Sequence, residues 1–189
     1  MKLNARQLRV TRPTEAELAK IERKPIYIVL DNVLDTYNIG SIFRLADAVA
    51  AREVILCGGS ETPPSSRIHK AAVGTENWVP WQYFADAKTA ISKLKILNPK
   101  LTVVAVEQDE KAISLDHLTP TPLQNFGEGN GRGEVALVVG HEIEGVSKDV
   151  LDMADEIVEI PMFGVNRSLN VHVSLAVVVY KLLEPNDGN

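Results

Sequence analysis

The sequence predicts a single α/β domain, a mainly parallel sheet covered by helices on both faces, and three observations carry that prediction. Short apolar runs alternate with amphipathic stretches along the chain, the order that successive strand–helix units produce. The runs "IYIVLD", "LTVVAVE" and "EVALVVG" are apolar at nearly every position, as strands buried on both faces are. A length of 189 residues suits one domain with a sizeable core and leaves little for a second.

Each element follows in order. Thr14 with Glu17 three residues later forms a capping-box pattern in "TEAELAKIER", which predicts a short helix after Pro13. "IYIVLD" (26–31) is a buried strand. "NIGSIFRLADAVAA" (38–51) is helical, with Ile42, Leu45, Ala46 and Val49 on one face. "EVILC" (53–57) is the second strand. "DAKTAISKLKIL" (86–97) gathers Ala87, Ala90, Ile91 and Leu94 on one side of a helix capped by Asp86. Residues 101–107, 134–140 and 156–161 are further strands, with a helix over 147–154 between the last two. "GEGNGRG" (127–133) resembles a phosphate-cradling loop, but it precedes a strand instead of opening a helix. A flexible connection is the better account.

The last apolar stretch, "NRSLNVHVSLAVVVYKLL" (166–183), reads two ways. Its five valines favour a strand. Its length and Ser168 as an N-cap favour a helix.

Composition bounds the function. The formal net charge is −5, which does not advertise a nucleic-acid binder. Residues 1–25, however, carry seven Lys/Arg (Lys2, Arg6, Arg9, Arg12, Lys20, Arg23, Lys24) against three glutamates, a local +4 that leaves −9 for the remainder. Such an arm could grip a phosphate backbone; a solvated helix face explains it equally well. Cys57 is the only cysteine, so no internal disulfide forms, and a reducing cytoplasm is the expected home. It ends an apolar strand and reads as buried packing, not as a nucleophile. No stretch is long and apolar enough to span a membrane, and the polar start lacks a signal-peptide run.

Ligands of open α/β sheets gather in loops beyond the carboxyl ends of strands, and three polar clusters lie there. The first, "LDNVLDTYNIGSIFR", places Arg44 opposite the apolar stripe, in register with Gly40 and Ser41. Helical side chains lean toward the N-terminus, so Arg44 would lie back across Gly40 toward Asn38, where a phosphate or carboxylate could meet its donors. Taken alone, an exposed arginine paired with Asp47 is the simpler account. The second, "LVVGHEIEGVS" (137–147), follows a buried strand with His141, Glu142 and Glu144. His69, His117 and His172 show no spacing that would complete a metal site with them. Glu142 reads as an orienting carboxylate or an exposed loop acid. The third, "EIPMFGVNRSLN", brings Ser168 and Asn170 to the start of the terminal helix, where unpaired backbone N–H groups face outward. Ser168 there could be only a cap.

Together, "NIGSIFR", "VGHEIEG" and "IPMFGVNRSLNVHVSLA" resemble the three motifs of the SpoU/TrmH-type RNA 2′-O-ribose methyltransferases of the SPOUT superfamily, in the family's order. The likeness runs from about Pro25 to Leu183. "KAAVGTENWVPW" (70–81) is similar to the family's segment between the first two motifs. The resemblance divides the chain into a short basic extension (1–24), a methyltransferase domain (25–184) and a polar tail (185–189). It implies the SPOUT fold, whose C-terminal part is threaded into a deep trefoil knot holding S-adenosylmethionine. It also makes the valine-rich segment the final helix, packed into the knot and against a second subunit of a homodimer.

The resemblance further implies that Asn38, Arg44, Glu142, Ser168 and Asn170 form the catalytic centre. Groups around Val106, Gly140, Ile160, Met162 and Leu169 would hold the cofactor. The reaction would be in-line transfer of a sulfonium methyl to a ribose 2′-hydroxyl of RNA, tRNA favoured over rRNA. Family practice makes the arginine the base, yet a guanidinium stays protonated in proteins. Arg44 therefore reads better as a phosphate grip that positions the ribose, steadied by Asn38 and Glu142. Trp78 and Trp81 could stack on bases, though core or interface packing accounts for them more simply. A silent RNA-binding or ribosome-associated protein of the same fold, or an unrelated α/β enzyme acting on a phosphorylated metabolite, are the competing readings.

Overall fold

Loop positions in this chain are set by where its parallel strands end. A computed structural model describes residues 2–118 and 133–184. The glycine-rich stretch 127–133 falls outside these residues, apart from Gly133, as does the polar tail. Two short helices come first, α1 (Ala5–Val10) and α2 (Glu15–Leu18), followed by β1 (Lys24–Asp31), α3 (Thr36–Ala48) and β2 (Ala51–Cys57). Next are α4 (Ser66–Ala72), β3 (Trp81–Phe84), α5 (Ala87–Leu97), β4 (Leu101–Val106) and β5 (Ile113–Ser114). The chain closes with β6 (Glu134–Gly140), α6 (Lys148–Leu151), β7 (Glu156–Glu159) and α7 (Val171–Leu183).

The seven strands form one sheet in the order β3-β2-β1-β6-β4-β7-β5, and every pairing is parallel. Both faces are covered, as the apolar runs predict. On one side Ile26, Ile28 and Leu30 meet Ile39, Ile42, Phe43 and Ala46 of α3 together with Leu175, Val178, Val179 and Leu182 of α7. On the other, Val29, Val103 and Val138 meet Ala87, Ala90, Ile91 and Leu94 of α5. Burying each large aliphatic side chain contributes roughly 1.5–3 kcal/mol, so α7 holds firmly to the sheet through four of them.

The predicted helices survive with shifted ends. The box at Thr14 and Glu17 is formed at α2, and Asp86 caps α5 through the Thr89 N–H at 2.7 Å. The helix of the first motif starts two residues earlier than its apolar pattern suggests, because the Asp35 carboxylate accepts the Tyr37 N–H at 2.8 Å. Ser168 is not the cap of the terminal helix: it lies in the preceding loop, and Asn170 caps α7 by accepting the His172 N–H at 3.1 Å.

Gly40 also differs from expectation. A β-carbon there would lie 2.6 Å from the Ala71 side chain and 2.7 Å from the Ile68 carbonyl oxygen. Glycine thus lets α4 rest directly on α3, and the space above it is not free for Arg44. At the N-terminal end, Arg23 donates to the carbonyls of Ala51 (3.1 Å) and Trp78 (2.5 Å), and Arg12 bonds the Asn77 side chain. Two arginines of the basic extension are therefore engaged with the body. Trp78 is core, and Trp81 is half-buried at the head of β3. No helix among the described residues is long and apolar enough to cross a membrane.

Candidate active site

Strand register brings the first two polar clusters together. Asp31 at the end of β1 pairs with Gly140 at the end of β6, so the loops beyond them leave the sheet side by side. Glu142 in the second loop accepts three hydrogen bonds from the first: the Leu34 N–H at 3.1 Å, the Asp35 N–H at 2.9 Å and the Asn38 amide at 2.9 Å. Burial pushes its carboxyl up, but the donors from Asn38, Asp35 and Leu34 outweigh that and hold it below its ordinary value. Glu142 is an anion that pins the entry to α3.

The loop bearing Glu142 is itself braced. Gly145 has φ +71°, which glycine adopts without strain, and it forms a bridge with His141. His141 Nδ1 accepts the N–H groups of Ile143 (3.1 Å) and Glu144 (3.2 Å). Glu107 accepts the Val146 N–H and Asp31 the Ser147 N–H, both at 2.8 Å. His141 is thus committed to turn geometry. No cluster of three or more His, Cys, Asp or Glu side chains among the described residues could hold a metal ion.

Beside this loop lies a cavity of about 300 Å³. Val106, Gly140 and Ile160 stand at or just past the ends of β4, β6 and β7. These three, with Met162 and Leu169 of the following loop, all line it, as do Glu142 and Ser168. The five residues named for a cofactor therefore face one space. Four carboxylates, Glu107, Glu142, Glu144 and Glu159, border it, which favours a cationic occupant.

The five residues named for catalysis are not all in mutual contact. Asn38 is buried, joined to Glu142 on one side and to His172 Nδ1 at 3.1 Å on the other. Asn170 caps the helix that carries His172. Ser168 is bracketed by Asn166, whose amide donates to the Ser168 carbonyl at 2.8 Å. Arg44 is exposed and makes no ion pair or hydrogen bond among the described residues. Neither Asn38 nor Glu142 bonds to it, since six helical residues turn Asn38 and Arg44 roughly 120° apart. The alternative partner of Arg44, Asp47, interacts with Arg23 instead.

Sequence reasoning missed His172, Tyr37, Asp31 and Glu107. The position of His172, two residues past Asn170 at the helix entry, was the available signal. Tyr37 packs edge-on against the His172 ring, with centroids 5.7 Å apart and planes at 72°. Cys57 is fully buried, and burial, with help from Asp31 and Asp86, pushes its thiol up to about 12. It is packing, as the sequence suggests.

Known proteins resemble this chain in sequence and fold. A tRNA (guanosine(18)-2′-O)-methyltransferase of Borreliella burgdorferi is 27% identical over 176 residues, 90% of this chain and 74% of that protein. The 23S rRNA (guanosine-2′-O-)-methyltransferase RlmB of Ralstonia nicotianae is 29% identical over 161 residues, 85% of this chain but only 59% of that protein. Among solved structures, the A. aeolicus TrmH/SpoU tRNA modifying enzyme has a TM-score of 0.71 at 23% identity, covering 94% of this chain and 80% of that one. An AdoMet-bound rRNA methyltransferase from Sinorhizobium meliloti has the same score and identity, covering 93% and 59%. At such identity these structures speak for the fold alone. The sequence model of one family matches residues 25–180, well over half the chain, and by that match the chain belongs to the SpoU rRNA Methylase family.

Proposed function

We propose that this protein methylates a ribose 2′-hydroxyl of RNA, tRNA before rRNA, using S-adenosylmethionine and acting as a cytoplasmic homodimer. One observation carries the reading: residues of the second and third polar clusters line one acid-bordered cavity, and Asn38 of the first is bonded to Glu142 on its wall. The lining suits the cofactor. Val106, Ile160, Met162 and Leu169 offer apolar surface for an adenine, and the surrounding carboxylates favour a sulfonium and an ammonium group. When bound, the cofactor supplies an electrophilic methyl carbon.

The chain's residues then have separable tasks. Glu142 and Asn38 fix the α3 entry, so the face of α3 that carries Tyr37, Ser41 and Arg44 has a set orientation. Arg44, exposed and uncommitted, grips an RNA phosphate and places the ribose. Ser168, on the cavity wall, and Asn170, at the cap of α7, meet the ribose or the cofactor's polar end. Relatives named for tRNA and for 23S rRNA guanosine-2′-O methylation support the reaction class. The apolar outer side of α7 supports the dimer.

The test uses methyl-labelled S-adenosylmethionine with undermodified tRNA and, separately, rRNA. Label is expected on the ribose of tRNA, and Arg44→Ala is expected to lower the rate on the order of 10²-fold or more, the loss typical of a missing charge-stabilising donor. Label on a base would overturn the ribose assignment. Cofactor binding without turnover on either RNA would favour the silent RNA-binding protein.

A further inference from the structure

The hydrogen bonds that end at Glu142 fix a proton position. Glu142 is a carboxylate and can only accept, so Asn38 must turn its NH₂ toward it. The Asn38 carbonyl oxygen then faces Nδ1 of His172 at 3.1 Å. That oxygen cannot donate, so the proton of the bond belongs to Nδ1. A neutral imidazole protonated at Nδ1 keeps its lone pair on Nε2, and Nε2 has no hydrogen-bond partner among the described residues.

The ring is also held in place. Tyr37 packs against it from α3, and Asn170 anchors its backbone N–H. Its neighbours, Asn38 and Asn170, belong to the first and third clusters. The guanidinium of Arg44 has five donors and no acceptor, and the Glu142 carboxylate already accepts three hydrogen bonds. His172 Nε2, beside Asn38 and Asn170, is by contrast an acceptor without a donor among the described residues. We propose that His172 Nε2 takes the proton of the ribose 2′-hydroxyl, an assignment that rests on the ribose-methylation reading above.

The step balances. As the ribose oxygen bonds to the sulfonium methyl carbon, the carbon–sulfur bond breaks with its electron pair passing to sulfur. The hydroxyl proton moves to Nε2, and the imidazolium later releases it to water. While charged, the imidazolium is stabilised by Asp35 and, through Asn38, by the Glu142 carboxylate.

The resting state fits this task. Burial lowers His172 below its ordinary value, against an opposing pull from Asp35, a shift that favours the neutral ring. The titratable and charged groups facing it are Asp35 and Tyr37 at the head of α3 and, through Asn38, Glu142 from the loop after β6. Histidine is the one type among them that ordinarily titrates between about pH 5 and 8. A base must be deprotonated, so the rate rises with pH through the His172 titration and then levels.

The test compares wild type, His172→Asn and His172→Ala. The asparagine amide can replace the Nδ1–H donor to Asn38 but cannot accept a proton. Single-turnover ribose methylation of undermodified tRNA is measured at saturating cofactor across the acidic and neutral range. Wild type should show an acid limb with a midpoint below 6.5, the ordinary histidine value. His172→Asn should be on the order of 10²–10⁴-fold slower, as loss of a general base predicts, and should lack that limb. Added imidazole should partly restore His172→Ala. Two-bond ¹H–¹⁵N spectra of the four histidines, assigned with the asparagine variant, should show His172 protonated at Nδ1. Cofactor binding and melting temperature establish that the variants fold.

An Nε2–H tautomer, or a folded His172→Asn within a few-fold of wild type, overturns the assignment while leaving the ribose reading intact. Failure of wild type itself to label ribose removes that reading, and this assignment with it.

Discussion

Glu142 illustrates how one side chain can set the geometry of two loops. Its carboxylate holds two backbone N–H groups and the Asn38 amide, an arrangement in which a neutral amide would bring its own hydrogens against the donors. Glu142→Gln should therefore destabilise the protein by about 1 kcal/mol, less than a buried charge-assisted hydrogen bond contributes because the group is solvent-exposed. The folded carboxyl titrates below its ordinary 4.5, so its contribution is complete above that pH and is lost as pH falls through the folded value. Denaturant melts at neutral and acidic pH check this: the gap between wild type and Glu142→Gln should close below 4.5, and a constant gap would deny the carboxylate its role. Asn38 and Glu142 were legible as motif positions, but their partners were not. The bonds from Asn38 to Glu142 and His172 span 104 and 134 residues, separations that no local pattern encodes. Asp31 and Glu107 escaped notice for the same reason, since each looks locally like the polar end of a strand.

Helices were read well where an apolar face is wide and poorly where contact is made through backbone. The four residues expected on the inner face of α5 are the four that are buried. By contrast, α4 has seven residues, too few to display a period, and β3 is a four-residue edge strand with two exposed positions, so neither stood out. The trefoil knot that the family resemblance implies belongs to the same class of unreadable features, because threading depends on the path of distant segments and not on periodicity. Gly40 marks the α3–α4 contact that sequence reasoning misassigned to Arg44. Gly40→Ala ought to gain up to about 1 kcal/mol of helix propensity. Its β-carbon would instead meet the Ile68 carbonyl and the Ala72 nitrogen at 2.7 and 2.8 Å, backbone atoms that cannot swing aside, and overpacking of this kind costs about 1–3 kcal/mol. A net loss in thermal stability is expected. A melting temperature at or above wild type would show that α4 can lift from α3 without penalty.

For the molecule as a whole, the decisive feature is the side of α7 that the sheet does not cover. Leu175, Val178, Val179 and Leu182 are buried, yet Val173, Val177 and Tyr180, spaced four and three residues apart, are 37%, 37% and 53% exposed. Residues at that spacing share one helical face, so α7 is apolar on two sides. A helix apolar all round is one that buries both sides, and among the described residues only one is buried. A second copy of α7 is the expected cover for the other. Val177→Glu tests this without threatening the fold, because glutamate is the better helix former and Val177 is not part of the internal core. Sedimentation equilibrium should show wild type as a dimer and Val177→Glu as a monomer or a weakened dimer, with unchanged helical circular dichroism. A variant that dimerises as tightly as wild type would place the interface elsewhere, and a wild-type monomer at all concentrations would leave the outer stripe of α7 to a different partner.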